Sequence, residues 1–303
     1  MARYFSGNEE ERNCLSTGVD GGWDEGLHVL QPVHNSRILE TGEEKKYYGY
    51  YCSPRGSSVG LAFSNDLVSW SKYSDNPILE STDSRVYRWP SVCFHDDKYM
   101  MFVTDTIEKK LERWVSEDGI NFNFKEKVAD GTMFFNPFVW RNPVDEQWYL
   151  FCHLGSGEDS RIAYLKSSSP TSFSSSEFKE ILSCPERWRN IASPSIMYKN
   201  GYYWLTVEYK EPSTRFSWVL RSYFGSSDKI TRMIDKLGLG GIWKTAVFYS
   251  KDIDKGYSKS ESSPILDPSS ACAMQFIRSD SDIYLFYNKN EDRWRQHLQV
   301  LSS

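Results

Sequence analysis

The 303-residue sequence predicts an all-β fold, a single five-bladed β-propeller spanning residues 1–303 with a short helical insertion in the fourth blade. Three observations predict it. Aromatic residues make up 16% of the chain, a load that favours strands. Short strand patterns are separated by Gly, Asn and Asp turns. One strand–turn–strand unit also recurs at about the 50-residue spacing of propeller arrays.

The unit is plainest at Pro90-Ser-Val-Cys-Phe, His95-Asp-Asp-Lys and Tyr99-Met-Met-Phe-Val-Thr-Asp105. An apolar strand is followed by a polar turn and an aromatic strand. It recurs as Pro32-Val-His leading to Tyr47-Tyr-Gly-Tyr-Tyr, and as Pro137-Phe-Val-Trp leading to Trp148-Tyr-Leu-Phe-Cys-His153. Further copies are Pro194-Ser-Ile-Met-Tyr leading to Tyr202-Tyr-Trp-Leu-Thr-Val-Glu208, and Ala273-Met-Gln-Phe-Ile leading to Ile283-Tyr-Leu-Phe-Tyr-Asn288. Second strands are expected over 47–52, 99–104, 148–153, 202–208 and 283–288. A third strand follows, best seen as Val59-Gly-Leu-Ala-Phe-Ser-Asn-Asp-Leu-Val-Ser-Trp70 and as Trp243-Lys-Thr-Ala-Val-Phe-Tyr-Ser250. Arg3-Tyr-Phe is expected to complete the last sheet beside residues 294–301, which removes an exposed edge.

The wide interval before the fifth unit carries a helical pattern: Ser227 as N-cap, Ile230, Met233, Ile234 and Leu237 on one face, and Gly238 as C-cap. Either a lid over a site or a surface decoration satisfies it.

Composition narrows the function classes. The net charge of −5, the pI of about 5.7 and the lack of a Lys/Arg run exclude the electrostatic footprint of a nucleic-acid binder. No stretch approaches the ~18 apolar residues of a membrane span, and mean hydropathy is −0.58. The first residues hold no apolar signal core, so a cytoplasmic location is expected. The six cysteines form no CxxC pair, and His28, His34 and His95 have no metal-binding spacing, so neither a thiolate- or histidine-built metal site nor another cofactor is expected, while a lone cation in the propeller channel stays open. Cys52, Cys93 and Cys152 read as small buried hydrophobes. No GxGxxG, GxxxxGK[ST] or GxSxG is present.

The Pro-led strands, the Gly60-Leu-Ala-Phe-Ser-Asn-Asp-Leu-Val-Ser-Trp70 strand and the Asn76-Pro-Ile-Leu that follows resemble the five-bladed glycoside hydrolases, among them arabinanases, β-xylosidases, invertases and levansucrases. The resemblance covers nearly the whole chain and implies a carbohydrate-acting protein. It implies a base Asp before the first-blade Pro, a pKa-modulating Asp before the third-blade Pro and an acid Glu two places before the fourth-blade Pro. These positions hold Gln31, Asn136 and Ala192, and a further family Asp after the second-blade Pro is Ser91. Amides cannot transfer a proton at neutral pH. The family's paired carboxylates are therefore read as replaced.

Replacements come from residues placed at the same rim. Asp105, His153, Glu208 and Asn288 end second strands beside the starts of first strands. Glu208, after an apolar run, suits a general acid, or else pairs with Lys210, Arg189 or Arg215; Asp105 has the same two readings. Trp23-Asp24, in a Gly-rich segment, offers an aromatic platform and a carboxylate over the axis, or a turn that Asp24 caps. The candidate catalytic residues are thus Glu208, Asp24 and Asp105. Gln31, Trp23, Arg88, Trp89, Ser91, Asn136, His153, Arg189 and Ser193 are the candidate substrate contacts. Arg88, Arg141, Arg187 and Arg189 point to an anionic ligand or to pairing between blades.

The sequence therefore predicts a glycoside-hydrolase-like protein acting by a non-standard acid/base set on a sugar or sugar-like ligand, neutral or anionic, with no nucleic-acid or membrane partner and an unassigned oligomeric state. A silent glycan- or metabolite-binding propeller and a non-hydrolytic lyase or cyclase remain open.

Overall fold

The computed structural model describes residues 12–15, 18, 23–24, 28–38, 42–53, 58–130, 135–175, 177–185, 188, 190–210, 243–260, 271–279, 282–289 and 296–301. Twenty strands run in order: β1 (Arg12–Leu15), β2 (His28–Ile38), β3 (Glu44–Cys52), β4 (Val59–Ser64), β5 (Ser71–Lys72), β6 (Tyr87–His95), β7 (Lys98–Asp105), β8 (Lys110–Ser116), β9 (Asn123–Asp130) and β10 (Phe135–Arg141). They continue as β11 (Trp148–Leu154), β12 (Arg161–Ser167), β13 (Lys179–Ser183), β14 (Asn190–Lys199), β15 (Tyr202–Lys210), β16 (Trp243–Ser250), β17 (Ser258–Lys259), β18 (Ala271–Ser279), β19 (Asp282–Lys289) and β20 (Gln296–Leu301).

These strands build five four-stranded antiparallel sheets, β2–β5, β6–β9, β10–β13, β14–β17 and β18–β19–β20–β1. The first strands β2, β6, β10, β14 and β18 touch in cyclic order, and β18 returns to β2. The architecture is an all-β propeller. Its last sheet is closed by Arg12–Leu15 against β20, not by the expected Arg3-Tyr4-Phe5, which lies outside the described residues. The helix expected over Ser227–Gly238 also lies outside them. The helical turns that are described are two three-residue 3₁₀ segments, Gly157–Asp159 and Phe173–Ser175. No described helix is long and apolar enough to cross a membrane.

The period-2 alternation of the second strands explains why the sheets stack. In β7, Tyr99, Met101 and Val103 pack with Tyr48, Tyr50 and Leu61 of the first sheet, whereas Met100 and Phe102 pack with Leu150, Cys152 and Leu165 of the third. In β11, Tyr149 and Phe151 join Leu205 and Val207 of the fourth sheet. Trp204 and Val247 join Leu285 and Tyr287 of the fifth, and Phe286 joins Leu30, Tyr51 and Ala62 of the first. Each neighbouring pair of sheets thus shares its own apolar core, and each fully buried aromatic contributes on the order of 2 kcal/mol.

Side-chain hydrogen bonds clasp the inner strands to one another. Val92 N–H donates to Gln31 Oε1 (3.0 Å), Val139 N–H to Ser91 Oγ (2.8 Å) and Phe276 N–H to Ser195 Oγ (3.0 Å). Turns after the third strands are held by a repeated Ser-x-Asp device. Asp66 accepts from Val68 and Ser69 N–H, and Asp118 accepts from Ile120 and Asn121 N–H. Burial raises the Asp118 carboxyl, but these bonds and that from Ser116 outweigh it and bring it down to about 2.

Candidate active site at the axial mouth

All five inner strands hold one extra residue near their start; in the first sheet the register shifts between His28 and Leu30. In the other four, pairing skips between Arg88 and Ser91, Phe135 and Phe138, Ala192 and Ser195, and Cys272 and Gln275, so each strand holds one extra residue against its neighbour. In the second, third and fourth sheets the residue before the proline takes a left-handed backbone: Trp89 (φ 55°), Asn136 (φ 49°) and Ser193 (φ 51°). Non-glycine residues rarely adopt this conformation, and a β-bulge re-aims its side chain. The adjacent bulges meet directly, since Asn136 Nδ2 donates to Ser193 Oγ at 2.7 Å.

The registers identify the residues that face each bulge. Cys52 pairs with His28, Thr104 with Arg88, His153 with Phe135, Glu208 with Ala192 and Asn288 with Cys272. The expected rim is therefore corrected in the second sheet, where Thr104 holds the equivalent position and Asp105 is one residue beyond it. Asp105 shares its strand face with Val103, toward the first sheet. There its Oδ1 accepts from Ile107 N–H (3.1 Å) and Glu108 N–H (3.2 Å), and its Oδ2 stands 3.3 Å from Arg85 Nε. Arg85 also binds Glu112 at 2.6 Å. Asp105 caps a turn inside an ion-pair network, the structural alternative the sequence left open.

The first sheet is corrected as well. Gln31 is the interblade clasp, the role that Ser91 and Ser195 play one residue after their prolines. It is thus two residues further along its strand than Trp89, Asn136 and Ser193, so the first-sheet counterpart of those bulge residues is Val29. Gln31 and Ser91 are buried, and both spend an oxygen on a neighbouring backbone N–H.

Trp23 and Asp24 are not brought to the axis. Trp23 stacks on Tyr51 (5.8 Å, 12° between planes), and Asp24 Oδ2 lies 2.5 Å from Lys72 Nζ on the outermost strand β5. The lysine charge draws this carboxylate across the outer strands of the first sheet. Arg141 sits at the far end of β10 and pairs with Glu146 at 3.7 Å. Arg189 and Arg187 lie outside the described residues.

The positions at these bulges and directly across from them, at one end of the inner strands, are held by Arg88, Trp89, Thr104, Asn136, His153, Ser193 and Glu208. Ser193 Oγ donates to Glu208 Oε2 at 2.7 Å while receiving the Asn136 amide, so three side chains from two sheets form one chain of hydrogen bonds. Burial pushes the Glu208 carboxyl up to about 7 against the opposing bond from Ser193. Burial brings the His153 imidazole down to about 3, which keeps it neutral. The Cys52 thiol, whose sulfur accepts from Trp89 N–H at 3.4 Å, is pushed up to about 12 by burial and stays protonated. Among the described residues no group of three or more His, Cys, Asp or Glu is placed to hold a metal ion. A carboxyl that exchanges its proton near neutrality, bonded to a hydroxyl that an amide fixes, can give or take one proton. The sequence missed Thr104, and only the pairing register reveals it.

No protein-family model and no curated protein matches the chain. Solved structures do. A thermostable family-43 glycoside hydrolase superposes with a TM-score of 0.63 at 13% identity, over 90% of this chain and 89% of that one. The chain has the family-43 glycoside hydrolase fold. An endo-arabinase from Bacteroides thetaiotaomicron gives 0.63 at 10% identity over 91% and 94%. The Cellvibrio cellulosa α-L-arabinanase complexed with arabinohexaose gives 0.52 at 13% identity over 90% and 92%.

Proposed function

We propose that the five sheets are the blades of one closed five-bladed propeller, and that it is a carbohydrate-acting protein of the glycoside hydrolase kind whose sugar enters the axial mouth. The fold shared with family-43 hydrolases, one of them holding arabinohexaose, supports the ligand class. The observation that carries the reading is the placement of Glu208. It is a buried carboxyl directly across the strand pair from Ala192, the position where the resemblance puts the family's acid. The carboxyl has moved to the adjoining strand and still faces the mouth.

Glu208, protonated near neutrality, gives its proton to the leaving oxygen as the glycosidic bond breaks. As a carboxylate it then takes a proton from the water that replaces that oxygen. Asn136 and Ser193 hold sugar hydroxyls, and Trp89 offers an apolar face. Asp24 and Asp105 are engaged elsewhere, so the acid acts without a partner carboxylate from the described residues. Acid–base assistance is worth about 10²- to 10⁴-fold, and ordinary pentosides and fructosides are accordingly turned over slowly.

One observation favours a second reading, a propeller that binds a glycan without cleaving it. Glu208 is hydrogen-bonded to a hydroxyl and, through it, to an amide, neither of which can transfer a proton near neutrality. Single-turnover assays on aryl glycosides, run beside calorimetric titration with the matching sugars, separate the two. Turnover in the wild type that is lost in Glu208→Gln while binding persists supports hydrolysis. Binding with no turnover in either supports the silent propeller, and turnover equal in both overturns the assignment of Glu208.

A further inference from the structure

Five described arginine side chains can be followed in full, and four of them are ion-paired. Arg85 binds Glu112 and Asp105, Arg113 binds Glu126, Arg141 binds Glu146 and Arg161 binds Glu180. Arg88 is the exception. It stands at the axial mouth, its Nε is buried with no hydrogen-bond acceptor, and its guanidinium lies 5.9 Å from the Trp89 ring. A guanidinium cannot shed its proton, so its charge persists whatever its surroundings, and it matches a planar anion through two parallel N–H bonds.

Two more polar groups at this mouth lack partners. Thr104, directly across the strand pair from Arg88, is 0% exposed, and its Oγ1 makes no hydrogen bond. Asn136 is 5% exposed, and its Oδ1 makes none, although its Nδ2 is committed to Ser193. Buried polar atoms are nearly always satisfied, because leaving one bare costs about 1–3 kcal/mol. A cation, a hydroxyl and an amide oxygen left open on neighbouring sheets at one end of the ring form a complementary set. It fits a molecule that presents an anion and hydroxyl donors.

Resting on the axial mouth being a sugar site, we infer that its sugar carries a carboxylate, which Arg88 grips through its guanidinium edge while Asn136 Oδ1 and Thr104 Oγ1 bind ring hydroxyls. The substrate class is an acidic sugar of the uronate type. The guanidinium fork matches carboxylates and tetrahedral oxyanions alike; with no second cation described beside it, a single arginine balances the one charge of a carboxylate and leaves a doubly charged phosphate unbalanced.

Calorimetric titration of the full chain with galacturonate, galactose and galactose 6-sulfate, at low and at moderate salt, tests this. The expected result is binding of galacturonate at least about tenfold tighter than galactose, weakened by salt. Arg88→Met should bring galacturonate affinity down to that for galactose measured on the same variant, and Arg88→Lys should restore the preference in part. Equal affinity for galactose and galacturonate overturns the inference and leaves the sugar-site reading standing. Affinity for the 6-sulfate equal to that for the uronate overturns the carboxylate. Binding of none of the three overturns the sugar-site reading itself. Should Arg88→Met fail to fold, the wild-type preference and its salt dependence decide alone.

Discussion

Ser193 Oγ donates a 2.7 Å hydrogen bond to Glu208 Oε2 from the bulge that precedes Pro194. This bond favours the ionised carboxylate and opposes burial, which favours the neutral acid. The acidity of Glu208 is thus set by a hydroxyl on the neighbouring strand that is itself fixed by Asn136.

Removing that hydroxyl should strengthen the acid form. Any turnover that needs protonated Glu208 should fall as pH rises through about 7, where its proton leaves. In Ser193→Ala the falling limb should move to higher pH, because the bond that favours the carboxylate is gone. A pH–rate profile of kcat/KM checks it, and a limb that moves down or stays put contradicts the arrangement.

Glu208 should also shape the pH dependence of stability. An exposed glutamate in the unfolded chain ionises near its ordinary 4.5, whereas the folded protein keeps the proton to about 7. Between these values the folded state binds more protons, so stability declines as pH rises through the window and levels off above it. The interval corresponds to about 3 kcal/mol. Glu208→Gln removes the decline: relative to its own stability at pH 4.5, the variant should lose less than the wild type by pH 8. Urea unfolding across that range measures the difference.

The blade pattern was legible in the sequence because aromatic alternation and the turns repeat. The row of second-strand ends was nearly so, and His153, Glu208 and Asn288 align as read. Two positions misled. In the second unit Asp105 lies one residue beyond Thr104, the equivalent of His153, Glu208 and Asn288, so it turns to the opposite face. In the first unit Pro32 does not follow a left-handed bulge residue, so aligning the prolines placed Gln31 two residues too far along its strand. A bulge adds a residue without leaving a mark in a hydrophobic pattern, and only the hydrogen-bond register exposes it. Asp24 misled for another reason: its partner Lys72 is 48 residues away.

The Asp105 network should matter to stability and not to chemistry. Arg85 neutralises two buried carboxylates, Asp105 and Glu112, and Glu112 also accepts from Trp114 Nε1 at 3.0 Å. Arg85→Leu leaves both without that cation. Complete loss of a partner from a buried ion pair costs about 3–5 kcal/mol, and the partial exposure of Arg85 reduces this to roughly 2 kcal/mol. Thermal melts should show the loss, while ligand affinity at the mouth stays within twofold of wild type.

The left-handed bulge residues give the sharpest test of the mouth's construction. Asn136 tolerates φ 49° because a short amide side chain is among the few that adopt this region, and its Nδ2 bond to Ser193 helps hold it there. Asn136→Gly relieves the backbone by about 1 kcal/mol and forfeits a hydrogen bond of about the same worth, so its stability should match the wild type within about 1 kcal/mol. Asn136→Val loses the same bond and forces a β-branched side chain into the left-handed region, where the cost rises to about 2 kcal/mol or more. Urea midpoints should therefore place the glycine variant near wild type and the valine variant well below it. Equal destabilisation by both would mean that the side-chain bond, not the backbone, governs this position. Both variants free Ser193 from its amide donor, so both should alter the Glu208-dependent limb of the pH–rate profile, whichever way stability moves.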